Sequence, residues 1–205
     1  MIKMKHSIFD AGKNRTIETY DGVFDGKELL SFHRFAQQQA YSINRISSGL
    51  ISDKSLATLK CDLSFPEAIR MGLISSPNFK PFIEILHNKK LRLRRSYINL
   101  CTSDDLFPYH VDSDNEEELT MLYFVNSHWE PMWEGETHFA SEDLSELIFS
   151  SSFIPGRLAV FTPTIPHKSS QPSRRAEEFR FTYAMKFVSQ KDVGWKDSFD
   201  LKERL

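Results

Sequence analysis

His110-Val111-Asp112, the run Leu119-Thr120-Met121-Leu122-Tyr123-Phe124-Val125, the segment Pro155-Gly156-Arg157-Leu158-Ala159-Val160-Phe161, and then His167 and Arg180 form the stretch that decides the fold. Two imidazoles and one carboxylate are the ligand set that caps one face of an octahedral ferrous ion and leaves three positions open. In an extended strand residues i and i+2 project to the same side, so the spacing predicts His110 and Asp112 gripping one metal from a single strand. His167 then arrives from a second strand. A His-x-Asp pair alone also suits a strand with two polar residues facing water. The ordered set, with His167 placed after a Gly-Arg turn and an apolar strand, favours the metal.

Outward from this stretch the second half of the chain reads as strands. Residues 91–100, 119–125, 137–139, 158–161 and 179–188 are rich in β-branched, aromatic and alternating residues. Pro108, Pro131, Gly135, Pro155-Gly156, Pro163, Pro166 and Pro172 separate them. Many short strands in succession predict a sandwich or a double-sheet jelly roll rather than a helix-alternating parallel sheet.

The first ninety residues read as mostly helical. Asp25 with Glu28 is a capping-box start, and Leu29, Phe32, Ala36 and Ala40 share one face, which predicts a helix over 26–41. Ser64-Phe65-Pro66-Glu67 and Pro77-Asn78 each open a shorter helix. Residues 47–53 read as a loop with the composition of a mobile one. The expected organisation is a single domain over 1–205, mainly β with N-terminal helices: helical support over 1–90, a double-stranded β-helix (cupin-like) over 91–188 and a tail over 189–205.

Composition narrows the function classes. With 26 Lys+Arg against 28 Asp+Glu in 205 residues, the net charge is −2, without the basic excess that phosphate-dominated binding demands. Nucleic acid is not expected as an obligatory partner. Cys61 and Cys101 are too few for a disulfide framework, which suits a reducing, cytoplasmic compartment. The N-terminus lacks an apolar targeting region and no run approaches the ~20 apolar residues that span a bilayer, so no membrane partner is expected.

In order, Tyr97, His110-Val111-Asp112, Leu119 to Asn126, Trp129, Trp133-Glu134-Gly135-Glu136-Thr137, Pro155-Gly156-Arg157, His167 and Arg180-Phe181-Thr182 resemble the 2-oxoglutarate and Fe(II)-dependent oxygenase superfamily, most closely its prolyl-4-hydroxylase-like branch. The resemblance covers roughly 91–188. It implies a metal held by His110, Asp112 and His167 in the barrel mouth, with Fe(II), 2-oxoglutarate and O2 as reactants and ascorbate as a supporting reductant. It further implies hydroxylation of an unactivated C–H bond of a small molecule, amino acid or peptidyl residue, with release of succinate and CO2. Asp112 favours hydroxylation over halogenation, while desaturation and ring formation stay open. The alternative from another class is a jelly-roll protein that binds a metal or ligand, or senses one, without catalysis.

Arg180 is the expected anchor for the distal carboxylate of 2-oxoglutarate, because a planar fork of donors matches a carboxylate bidentately. Arg174 and Arg175 compete for the role but lie in a polar loop, and a surface ion pair of Arg180 with Glu177 or Glu178 is the plain alternative. Thr182, two residues on, shares its strand face and offers a hydroxyl. Tyr97 is the expected third contact, with Asn99 and Tyr109 as substitutes. Phe124 departs from the tyrosine that some branch members use at that place. His128 and His138 lack ligand-spaced partners, and Trp129 and Trp133 read as core. Asp104-Asp105 and the acidic run 112–118 suit either a solvated turn, the preferred reading, or steering of a cationic substrate. The basic run 89–95 fits a strand edge protected against aggregation.

Overall fold

The computed structural model describes residues 2–10, 13, 15–45 and 57–204, so the expectation for 47–53 lies outside the described residues. Eleven strands are found among them, in two antiparallel sheets. The larger runs β1 (Lys3–Asp10), β2 (Arg15–Asp21), β9 (Leu158–Phe161), β6 (Leu119–Phe124), β11 (Arg180–Ser189), β5 (Leu91–Cys101), β4 (Ala57–Leu63) and β3 (Ser42–Arg45) side by side. The smaller runs β10 (His167–Ser169), β7 (Thr137–Ala140) and β8 (Leu147–Ser151). A sheet buries both faces only if something covers each. Here the smaller sheet covers one face and the helices cover the other.

The period-two pattern of β11 sorts its side chains between these layers. Phe181, Tyr183, Met185 and Phe187 join Phe32, Phe79, Phe82 and Leu86 in the core shared with α1 (Gly26–Gln37) and α3 (Lys80–Asn88). Arg180, Thr182, Ala184 and Lys186 face the other way, and Ala184 packs with Leu122, Phe124, Phe139 and Phe161 between the sheets. Register aligns Thr182 with Phe124 and Asn99, Ala184 with Leu122 and Tyr97, and Lys186 with Thr120 and Arg95. Polar and charged side chains are thereby laid in rows along the floor of the barrel.

Several expectations need correction. The first ninety residues hold four strands as well as α1, α2 (Phe65–Met71) and α3, because β2 and β4 cap the backbones of β9 and β5 that would otherwise be sheet edges. The alternation Arg15, Ile17, Thr19 buried against half-buried neighbours is the local trace of that role. Helix α1 stops at Gln37, where Gln39 Nε2 donates to Phe35 O and Tyr41 Oη donates to Ala36 O, satisfying carbonyls that a continuing helix would have used. Residues 189–205 are not a free tail. Phe199 exchanges two 2.8 Å backbone bonds with Leu93, and Leu201, opening α4 (Leu201–Arg204), is buried. The basic run 89–95 feeds β5, an interior strand of the large sheet, so it is no edge. No helix among the described residues is long and apolar enough to cross a membrane.

Candidate active site

His110 and Asp112 lie on an extended segment rather than in a strand, which corrects the expectation for them. His110 forms a lone antiparallel bridge with His167, its N–H and carbonyl exchanging bonds of 3.0 and 2.9 Å, and Asp112 N–H donates to Pro163 O. Pro108 before the pair and the bend at Asp114 and turn at Glu116-Glu117 after it keep the ladder from extending. The bridge still sets the two imidazoles against each other, ring centroids 4.5 Å apart. One ligand atom from each of His110, Asp112 and His167 falls within 4.8 Å of the others, the grouping the spacing predicts.

Each imidazole is oriented from behind. His110 Nδ1 donates to Pro108 O at 3.1 Å and His167 Nδ1 donates to Ile165 O at 2.9 Å. A carbonyl only accepts, so Nδ1 carries a proton and Nε2 is the nitrogen left to face the centre. Both Nε2 atoms turn to Asp112, at 3.7 Å from Oδ1 for His110 and 3.4 Å from Oδ2 for His167. Burial and the neighbouring His167 push His110 down to about 4, so it is neutral near pH 7. Burial alone would raise the Asp112 carboxyl. Lys186, then His167 and His110, outweigh that and hold it well below the usual carboxylate range. Two imidazoles turning Nε2 to a common point beside one carboxylate therefore fit a divalent cation of the ferrous type.

Two residues that the sequence reading did not single out complete this centre. Thr120 Oγ1 donates to Asp112 Oδ2 at 2.8 Å, and Lys186 Nζ donates to the same oxygen. Lys186 was legible as a charge at the same strand parity as Arg180, six residues along β11 amid apolar neighbours.

Arg180 lies deep between the sheets with 1 % of its surface exposed. Its Nε donates to Gly135 O at 2.7 Å and its Nη2 to Thr137 Oγ1 at 3.2 Å, while the Phe153 and Phe124 rings flank it at 4.8 and 5.8 Å. Burial pulls it down to about 10, which leaves it protonated at neutral pH. Among the described residues no carboxylate lies within ion-pair distance of it, so the surface pair with Glu177 or Glu178 does not form. Glu178 instead takes the side chain of Asn126 and faces His33. Arg174 is exposed and pairs with Asp104. Gly135, at φ +87°, lets its carbonyl reach Arg180, since an added Cβ would stand 3.1 Å from Arg180 Cδ.

Thr182, Tyr97 and Asn99 share the floor with Arg180, and Tyr97 packs at the margin of the inter-sheet core. Tyr109 instead carries Lys168 Nζ over its ring at 4.9 Å. His128 pairs with Glu130 at 3.2 Å, and Trp129 and Trp133 meet edge to face as core, as read from the sequence. The acidic residues are taken up by polar contacts, some within their own loops and some beyond them. Asp105 accepts from Thr102 N, Glu117 from Lys191, and Glu118 from Asn115.

No protein-family model matches the chain, and no curated protein matches it. Solved structures do. HygX from Streptomyces hygroscopicus, with nickel and 2-oxoglutarate bound, superposes with a TM-score of 0.62 at 14% identity, over 87% of this chain and 85% of that one. A prolyl-4-hydroxylase from Pseudomonas putida gives 0.60 at 13% identity over 85% and 92%. The α-ketoglutarate-dependent epimerase SnoN of nogalamycin biosynthesis gives 0.62 at 14% over 84% and 77%. The chain thus has the jelly-roll fold of 2-oxoglutarate-dependent oxygenases.

Proposed function

We propose that this protein is an Fe(II)- and 2-oxoglutarate-dependent dioxygenase that hydroxylates an unactivated C–H bond of a small molecule, amino acid or peptidyl residue. The observation that carries this reading is the convergence of His110, Asp112 and His167 at one point of a barrel that also encloses Arg180, a guanidinium without a carboxylate partner among the described residues. HygX and the prolyl-4-hydroxylase, which share the fold, support it. The epimerase shows that one fold hosts other outcomes, so the reaction is argued from the site.

His110, Asp112 and His167 would hold the metal by one face, leaving three adjacent positions for the 2-oxo acid and O2. When bound, these reactants supply the oxidation: R–H, 2-oxoglutarate and O2 become R–OH, succinate and CO2. The chain's own part is placement. Arg180 would take the distal carboxylate with the donors its contacts to Gly135 and Thr137 leave over, and Thr182, on the same floor, offers a hydroxyl beside it. Ala184 and Leu122 keep the floor between Arg180 and the triad apolar. Thr120, bonded to Asp112 Oδ2, holds the carboxylate so that Oδ1 is the oxygen presented beside His110. The rings of Phe139 and Phe161 against His167 exclude water from one side of the centre.

The test is succinate formation by protein loaded with Fe(II), 2-oxoglutarate and ascorbate, against Asp112→Ala. Slow turnover by the parent and none by the variant is expected. Tight metal and 2-oxoglutarate binding with no succinate under any substrate would favour the non-catalytic binder instead.

A further inference from the structure

Beside Asp112 opens a cavity of 230 Å3 whose wall includes Arg94, Arg95, Thr120 and Lys186. Its charges are unequally committed. Arg94 pairs with Asp192 at 3.5 Å, and Lys60, across the floor, pairs with Asp62 at 3.0 Å. Glu118, the other acid on the wall, is buried and accepts from Asn115. Lys186, with 12% of its side chain exposed, has Asp112 as its one carboxylate partner among the described residues. Arg95 has no carboxylate within ion-pair distance among the described residues and leans on the Tyr97 ring at 5.4 Å, which Lys186 also approaches at 6.0 Å.

On the reading above, Asp112 gives its charge to the metal, and the distal carboxylate of 2-oxoglutarate goes to Arg180. Lys186 is then a nearly buried ammonium sharing its one carboxylate partner among the described residues with a divalent cation, and Arg95 stands beside it with no carboxylate partner among them. Such a cation is costly unless an anion joins it. We infer that the substrate supplies that anion: a carboxylate or phosphate group that pairs with Lys186 and Arg95 and so sets the reacting carbon over the metal centre. This inference rests on the reading of the triad as a metal centre. It makes Lys186 and Arg95 determinants of specificity, and it selects against neutral and cationic substrates.

The experiment is isothermal titration of protein saturated with Mn(II) and 2-oxoglutarate, at constant ionic strength, with acetate and inorganic phosphate as probes. One of the two should bind the parent protein, acetate pointing to a carboxylate-bearing substrate and phosphate to a phosphorylated one. Lys186→Gln and Arg95→Gln should each weaken that binding about tenfold or more, the scale of a lost charge-assisted hydrogen bond, while Lys186→Arg retains most of it. Arg95 is exposed, so its substitution keeps the test valid should Lys186→Gln fold poorly. Binding of neither probe, or binding in both glutamine variants as tight as in the parent, overturns the inference. So does a loss of 2-oxoglutarate binding in Lys186→Gln as large as the loss of the probe, because the co-substrate would then be the anion at Lys186. A parent that binds no 2-oxoglutarate yet shows probe binding dependent on Lys186 defeats the proposed function and leaves the anion site standing.

Discussion

Replacing Arg180 by methionine separates a residue kept for a ligand from one kept for the fold. In the free protein the guanidinium carries a desolvation cost of several kcal/mol, because it is 1% exposed and faces no acid among the described residues. Against that stand its bonds to Gly135 O and Thr137 Oγ1, at about 1.5–3 kcal/mol each, and ring contacts with Phe153 and Phe124 worth about 2 kcal/mol. Methionine matches the stem, removes both the cost and the gains, and should change stability by no more than about 2 kcal/mol in either direction. Binding should respond far more. Removing one partner of a buried charged pair costs about 2–5 kcal/mol, which is about 30-fold to about 4,000-fold in 2-oxoglutarate affinity. Calorimetric titration with Mn(II) present reads the affinity, and thermal unfolding with and without 2-oxoglutarate reads both effects at once. The parent should be stabilised by ligand at 100 times its dissociation constant by about 2.7 kcal/mol, and the variant by about 0.9 kcal/mol or less at the same concentration. An Arg180→Met protein that binds 2-oxoglutarate within about threefold of the parent would refute the anchor, and a large loss in Arg174→Met instead would relocate it.

Further outcomes follow from the same contacts. Thr120→Val removes the 2.8 Å bond to Asp112 at equal volume, so Mn(II) affinity should fall about 10-fold to 100-fold with stability little changed; an unchanged affinity would deny Thr120 its positioning role. Gly135→Ala forces a side chain onto a residue at φ +87° and into Arg180, and should cost about 1–3 kcal/mol in urea unfolding together with weaker 2-oxoglutarate binding; loss of neither contradicts the close approach. His33, buried with Nδ1 on Ser127, is held below its ordinary value of 6.5 by burial, against the opposing pull of Glu178. The unfolded chain therefore binds that proton more tightly. The stability contributed by neutral His33 is complete above about pH 6.5 and declines as pH falls through it, and His33→Gln should flatten that decline between pH 7.5 and 5.

What was legible in the sequence was whatever local spacing or strand parity encodes. His110 and Asp112 were placed by an i, i+2 rule and Arg180 and Thr182 by alternation along one strand, and those side chains do share one side. The ladder around His110 was not legible, because prolines at 108 and 163 and a polar turn after Asp112 leave only one bridge, with His167, where a strand was expected. Strands β1 to β4 were missed because their sequences are polar or half-exposed, and what makes them strands is the backbone of β9 and β5 waiting for a partner, a long-range demand that no local window contains. Lys186 and Thr120 were missed for a similar reason. Their meaning comes from Asp112, brought to them by a chain reversal, and a lysine within an apolar strand was the one local sign that an acid awaited it.

The chemistry of this site depends above all on a metal held by three side chains. Anaerobic titration with Fe(II), followed by X-ray absorption at the iron edge, tests this most directly in the parent and in His167→Ala. One iron per chain, with two imidazole nitrogens and a carboxylate oxygen in its coordination sphere and sharply weaker binding in the variant, is the predicted result. Iron held as tightly by His167→Ala as by the parent, or no iron bound by the parent at all, would contradict it.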